Sequence, residues 1–523
     1  MMLKFQHTKG RRNTMTGNGL MQRLGLGALA AVLALSGAAS PRGERQWASE
    51  VLAAARGVPA IVCGLAARAA EGRYGSGPWA PPMAPDDTSG ALAWVLERDH
   101  GNEADSVLLA GLAADDPCVR TIAARLVART ESPAVTAGLL RALAGPAAGT
   151  RSAAAVALGL AGIDAGAEPL IGRLRDSDAD VRAAAAWALG GLDDARAVAP
   201  LGRSLGDAAA AVRAAAALSL GRLDDSTAVR ALVAALRDDS DERVRVAAAE
   251  ALGMIGDRSA IPGLADAVAD RSPAVRRVAV WALGHIESSE VVPGLSRAMG
   301  DADQAVREMA TWGLGQVGSR DAIPALGRRL AGDAAPEVRE RAAWALGQIG
   351  DRAAVEPLGA ALRSDPGARV RSNAAWALGQ IGDASAIPAL SASLADSSSE
   401  VRGNAAWAIG QIGTEHAPAP LTGALKDRSA DVRQRAAWAL GQIADATAAT
   451  ALRDAVRDAD HEVARAALWA LAQMDDDVAR GVFVEVLKSA DPEMRAAAAR
   501  ALGRGHVNPW PWPIPRPMPR PFP

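Results

Sequence analysis

From about residue 90 to 505 the apolar positions recur as one long unit, with V-R-x-x-A-A-W-A-L-G-Q-I-G, a short polar turn, then A-I-P-A-L-x-x-x-L. The Arg of the unit stands at Arg120, Arg151, Arg182, Arg213, Arg245, Arg276, Arg307, Arg339, Arg371, Arg402 and Arg433, in steps of 31 or 32 residues. Ala464 and Arg495 hold the next two registers, which makes thirteen. Apolar residues three and four apart predict helices. The longer pattern ends at a Gly suited to a helix C-cap. An Asp or similar starter follows, then a Pro such as Pro262, Pro324, Pro357 or Pro388 early in the next helix, where a missing N–H costs little. One such pair cannot bury its apolar side alone, and stacking neighbours makes the core continuous. The expected fold is all-α, an α-solenoid of about 13 two-helix repeats.

This pattern resembles the HEAT-like repeats named after the phycobilin lyases, and the resemblance spans residues 91–505. It implies an Asp six residues before the Arg, bonded along the stack as a structural ladder. The matching pairs are Asp176/Arg182, Asp207/Arg213, Asp239/Arg245, Asp270/Arg276, Asp301/Arg307, Asp333/Arg339, Asp365/Arg371, Asp396/Arg402 and Asp427/Arg433. These charges read as structural, because Arg–carboxylate forks hold register.

Helical geometry places the Trp of the unit. With Val370 at zero, Ala374, Leu378 and Ile381 fall at about 40°, 80° and 20°, while Asn373, Trp376 and Gln380 fall at about 300°, 240° and 280°. The indole thus lies away from the apolar stripe, beside Asn and Gln. Trp187, Trp281, Trp312, Trp344, Trp376, Trp407, Trp438 and Trp469 fill this position, whereas other copies hold Arg125, Glu250 and Arg500 there. Acceptance of both charges argues for a surface position. Four residues on stand Gln316, Gln348, Gln380, Gln411, Gln442 and Gln473, with His285 in the neighbouring copy. Three residues before the Trp, the central copies carry Arg341, Asn373, Asn404 and Arg435.

The resemblance implies that such helices line a concave side, so Trp281 to Trp469 would form an inner row. With helices about 10 Å apart, six steps span about 60 Å. An extended peptide of about 18 residues covers that length. Indoles hold Pro, aliphatic or cationic side chains, and Gln and Asn amides bond a peptide backbone. The W-x-x-x-Q spacing is similar in arrangement to the Trp/Asn ladder of armadillo-repeat proteins, with Gln in place of Asn. The candidate peptide-binding residues are therefore these seven Trp, the Gln from 316 to 442, Asn373 and Asn404. A second reading stands beside this one: Trp and Gln of adjacent repeats pack on each other and stiffen the array.

The chain has 523 residues, half of them hydrophobic, yet only 3% are aromatic, with 13 Trp against 3 Phe and 1 Tyr. Residues 1–39 hold five Lys and Arg and no acid, followed from Leu24 by a short apolar run and a small-residue end. That is the pattern of a secretory signal cleaved after Ala39. Its removal leaves 52 basic against 59 acidic residues, a net of −7 in place of −2. An acidic exported chain is a poor partner for nucleic-acid phosphates. The expected location is the periplasm or outside the cell, with no membrane span after cleavage. Residues 40–71 read as Ala-rich helices and 72–90 as a Gly/Pro-rich linker. Cys63 and Cys118, the two cysteines, either pair or stay free. Residues 506–523 end in NPWPWPIPRPMPRPFP, a polyproline II former that is either a stiff exposed end or a ligand for the array's own groove or a neighbour's.

No phosphate loop, nucleophile elbow, Cys-x-x-Cys pair or His-Glu-x-x-His helix is present. Deoxyhypusine hydroxylase, which bears HEAT repeats, holds iron with several His-Glu pairs, and only His461-Glu462 matches that pattern here. No catalytic residue, cofactor or metal is expected. The expected function is a scaffold that binds another protein through an extended segment. The alternatives are a structural or assembly module of the cell envelope, or a regulatory subunit of an enzyme.

Overall fold

The computed structural model describes residues 41–56, 104–130, 132–474 and 477–503. The expected signal segment, the expected linker, Cys63 and the Pro-rich tail lie outside the described residues. Among the described residues every regular element is helical, and all thirteen registers from Arg120 to Arg495 fall inside helices. The fold is an all-α solenoid.

One copy serves for the rest. The long helix Ala368–Ile381 ends at Gly382, whose φ of 72° is left-handed and favours a residue without Cβ. Asp383 then accepts the N–H of Ser385 and starts a single 3₁₀ turn, Ala384–Ala386. The short helix Ile387–Ser393 follows with a Pro in its first turn. The 3₁₀ turn is a structural addition to the two-helix reading. It bends the chain back within three residues, and an Asp or Ser starts it in most copies.

Contacts divide the chain into a unit ending at Ile255 and a unit starting at Gly256. In the first unit, helix Pro41–Ala55 packs on Asp105–Gly111 and Pro117–Val127. Leu52 lies where a side chain on Gly111 would otherwise stand. Cys118, buried in Pro117–Val127, is disulfide-bonded. In the second unit the long helices are Pro273–His285, Gln304–Val317, Pro336–Ile349, Ala368–Ile381, Ser399–Ile412, Ala430–Ile443, His461–Ala472 and Pro492–Gly503. Within this series successive long helices pack on one another, with short helices beside them.

The Arg–Asp ladder runs between repeats. Arg371 donates through Nη1 to the backbone carbonyls of Asp365 (2.9 Å) and Pro366 (3.2 Å) in its own repeat. Its Nε and Nη2 reach forward to both carboxylate oxygens of Asp396 in the next one, at 2.7 and 2.8 Å. Asp396 in turn accepts the N–H of Ser398 and so shapes the turn before the following helix. The same forward fork joins Arg151–Asp176, Arg182–Asp207 and Arg213–Asp239 in the first unit. In the second it joins Arg276–Asp301, Arg307–Asp333, Arg339–Asp365, Arg402–Asp427 and Arg433–Asp458. The pairing six residues apart is thus real but runs through the Asp carbonyl; the carboxylate belongs to the Arg of the preceding repeat.

Hydrogen bonds from these Arg side chains hold the carboxyls of Asp176, Asp207, Asp239, Asp396, Asp427 and Asp458 below their ordinary value, against the opposing effect of burial. A carboxylate depressed in the folded state adds stability that is complete above its unfolded pKa of about 3.9 and is lost as pH falls through the lower folded value. The thermal midpoint followed by circular dichroism should therefore hold level from pH 7 to about 5 and fall steeply below about 4. A midpoint unchanged at pH 2 would exclude the ladder as a source of stability. Arg371→Ala, which strands a mostly buried Asp396, should cost about 3 kcal/mol in chemical unfolding.

Candidate functional site

The second unit brings the candidate residues onto one register of consecutive long helices, and it separates them into two kinds. Trp344, Trp376, Trp407 and Trp438 are buried, at 9, 7, 1 and 8% exposure. Trp281, Trp312 and Trp469 are half-buried. The expectation of an open row of indole faces is corrected at the four central positions.

The cause is the width of the buried arc. A lone amphipathic helix buries one stripe, but each long helix here is flanked by two others. From Ala374 to Gly379 every residue is buried, and so is every residue from Val401 to Gly410. The indole occupies the seam between successive long helices. A methyl placed on Gly379 would stand 2.7 Å from Cζ3 of Trp407 and 2.8 Å from Cβ of Ala408. Gly315 meets Trp344, Gly347 meets Trp376, Gly410 meets Trp438, and Gly441 meets Trp469, in each case at under 3.0 Å from Cζ3. Gly284 meets Trp312 at 3.0 Å. From Trp281 to Trp438 the Gly three residues after the Trp is therefore the floor on which the next repeat's indole rests. Where the following register holds Arg500 instead of Trp, the Gly position is Ala472.

The polar residues three before the Trp also join repeats. Arg341 donates to Glu308 at 3.2 Å, and Asn373 donates to the backbone carbonyl of Glu340 at 3.3 Å. Buried Asn404 donates to Ser372 Oγ at 2.8 Å and accepts from Arg435 at 2.7 Å. Burial lowers the Arg341 pKa, with Glu308 opposing it, and burial raises that of Glu340, with Arg369 opposing it. Asn373 and Asn404, expected to face a peptide, spend their amides on neighbouring repeats. The polar enrichment at mid-array is thus a second ladder, parallel to the Arg–Asp one.

The Gln positions differ. Gln316, Gln348, Gln380, Gln411 and Gln442 are all exposed, and none hydrogen-bonds to any other described residue. Each stands next to last in its helix, so the five amides follow the C-terminal edge of five successive long helices. At the row's start His285 takes the Gln position and bonds the Trp281 carbonyl at 2.9 Å, with its ring 4.3 Å from Trp281 and 5.3 Å from Trp312. At the far end Gln473 is half-buried and turned back to the Trp469 carbonyl. The free amides are confined to the five copies between.

Among the described residues no group of three or more His, Cys, Asp or Glu is placed to hold a metal ion. His461 pairs with Asp491 of the following repeat. No helix among the described residues is long and apolar enough to cross a membrane.

The family model for HEAT repeats matches the chain in overlapping segments, 167–253, 203–277, 229–300, 261–335, 323–402, 355–440, 390–468 and 451–505. Comparison with curated proteins finds no match. Among solved structures the chain is similar to importin beta, with 15% identity and a TM-score of 0.51 over 92% of this chain and 71% of that one. That likeness is one of fold. The CpcE–CpcF complex of phycocyanin lyase from a Nostoc species is 24% identical, with a TM-score of 0.28 over 47% of this chain and 93% of that one. Human deoxyhypusine hydroxylase is 26% identical, with a TM-score of 0.23 over 48% of this chain and 96% of that one.

The seam predicts a coupled pair of substitutions. Trp407→Ala should destabilise the protein by about 3–5 kcal/mol, because it empties a buried site. Gly379→Ala should also destabilise, since its methyl meets the indole. In the double variant the methyl no longer clashes with the indole, so the combined loss in urea unfolding should fall short of the sum. Strict additivity would show that the two side chains do not touch.

Proposed function

The chain belongs to the HEAT-repeat family, and from that premise we propose that it is a protein-interaction scaffold that binds an extended polypeptide along the five Gln amides of its second unit. The observation that carries this reading is the row itself. Gln316, Gln348, Gln380, Gln411 and Gln442 are exposed and unbonded, at one register of neighbouring helices. An amide offers both a donor and an acceptor, so such a row reads a peptide backbone with little regard to its side chains. Helices about 10 Å apart meet an extended chain at about every third residue. The Trp residues serve this site from beneath, by fixing the spacing of the helices that carry the Gln.

The burial of Trp344, Trp376, Trp407 and Trp438 against neighbouring Gly and Ala favours a second reading, in which the row only stiffens a structural or assembly module. Under either reading the protein acts outside the cytoplasm, as the basic and apolar start of the chain implies, and acts without catalysis, cofactor or metal.

Fluorescence anisotropy with labelled 18-residue peptides of proline-rich and mixed composition separates the two. The combined variant Gln348→Ala, Gln380→Ala and Gln411→Ala should weaken binding about tenfold or more, at about 0.5–1.5 kcal/mol for each lost hydrogen bond. Its melting temperature should stay unchanged, because these side chains are exposed and hydrogen-bond to no other described residue. Equal binding by the variant and the parent would remove the Gln row from the site.

A further inference from the structure

The last long helix, Pro492–Gly503, belongs to the same series as the Gln-bearing helices. Nine residues after the Arg of each central repeat stands the Gln; nine residues after Arg495 stands Arg504. By this register the last described helix ends, at Gly503, one residue short of the position that carries the Gln in the central repeats. Two helix spacings back lies Gln442, and Gln411, Gln380, Gln348 and Gln316 follow at one spacing each.

A polyproline II chain rises about 3.1 Å per residue with three residues per turn, so it repeats about every 9 Å. Packed helices stand about 8–10 Å apart. A segment in this conformation running back from Arg504 would meet Gln442 near residue 510 and the next four Gln near 513, 516, 519 and 522, at about three residues per step. Those five positions all fall inside NPWPWPIPRPMPRPFP, residues 508–523. They also lie on one side of the polyproline helix, since its period is three.

The chemistry agrees with the length. Eight of those sixteen residues are Pro, which has no N–H, so the backbone offers chiefly carbonyl oxygens. The Gln amides supply the donors. Residues 504–523 contain Arg504, Arg516 and Arg520 and no acid. The turns beside the Gln row, residues 318–322, 350–354, 382–386, 413–417 and 444–448, carry Asp321, Asp351, Asp383, Glu415 and Asp445 against Arg320 and Arg352. Helix C-termini add their own partial negative charge along this edge.

Resting on the reading of the Gln row as a peptide site, we propose that its first occupant is the chain's own segment 508–523, docked in cis as a polyproline II helix. Partners of the array then compete with the tail, and the competing ligand is a proline-rich, cationic, extended segment.

The test uses the full chain and a full-length counterpart whose residues 508–523 are replaced by Gly and Ser. The probe is a fluorescein-labelled synthetic peptide of sequence 508–523, followed by anisotropy, with sedimentation to report mass. The substituted chain should bind the peptide at least about tenfold more tightly than the native chain, because a tethered competitor acts at an effective concentration near millimolar. Adding Gln348→Ala, Gln380→Ala and Gln411→Ala to the substituted chain should abolish the gain. Equal binding by the two chains, or no binding by the substituted one, overturns the proposal. A native dimer that the substitution dissolves overturns docking in cis in favour of exchange between copies. If the substituted chain ignores the tail peptide yet takes other extended peptides through its Gln row, the occupant is wrong and the site stands. If it takes no extended peptide, both fall.

Discussion

The second unit depends on a single constraint: neighbouring long helices must approach closely enough for an indole to rest on a glycine. Cζ3 of Trp407 lies where a Gly379 side chain would be, and the same contact recurs from Gly284–Trp312 to Gly441–Trp469. A residue without Cβ permits it, and from Trp312 to Trp469 the indole shares the seam with the Ala or Gly that follows the Trp. Because each repeat both provides the glycine and inserts the indole, the contact sets one spacing and copies it. The Arg–Asp fork sets the other coordinate. An Arg anchored to carbonyls in its own repeat and to a carboxylate in the next fixes how far one repeat slides past its neighbour.

These two contacts explain how a surface row can be regular without being made of large side chains. Gln316 to Gln442 hydrogen-bond to no other described residue, yet they stand on helices whose close approach the Trp and Gly below them set. A binding edge of this kind separates tasks along one helix. The N-terminal half holds the forks and the Arg341, Asn373, Asn404 and Arg435 bonds, the middle holds the seam, and the last turn carries the free amide.

Much of the fold was legible in the sequence, because it is local and repeated. The 31- or 32-residue step, the Gly that ends each long helix and the Pro that opens each short one all follow from backbone rules that hold within a few residues. The partner of each Arg carboxylate bond was not legible, since offsets of six residues back and about 25 forward fit one repeating pattern equally well. The Trp position was misplaced because a helical wheel assumes one buried stripe, whereas a long helix between two others buries most of its circumference. Gly stands three residues after the Trp in six consecutive copies, but Gly190 and Gly221 hold the same register where Leu218 and Glu250 follow, so the Gly marks a close helix approach and not the indole itself. The exposure of the Gln was anticipated, while the bonds that occupy Asn373 and Asn404 depend on groups about 32 residues away and could not be read from either helix alone.

The central claim is that a buried Trp–Gly seam rules off an exposed row of amides at the pitch of an extended chain. Nuclear magnetic resonance of the full-length chain with the Gly/Ser end, labelled with nitrogen-15 only at Gln side chains, tests it most directly on addition of the 508–523 peptide. The account predicts that the NH₂ resonances of Gln316, Gln348, Gln380, Gln411 and Gln442 shift together along a single titration curve, while that of Gln473 stays in place. Shifts confined to one of the five, or spread over Gln residues away from the row, would contradict it.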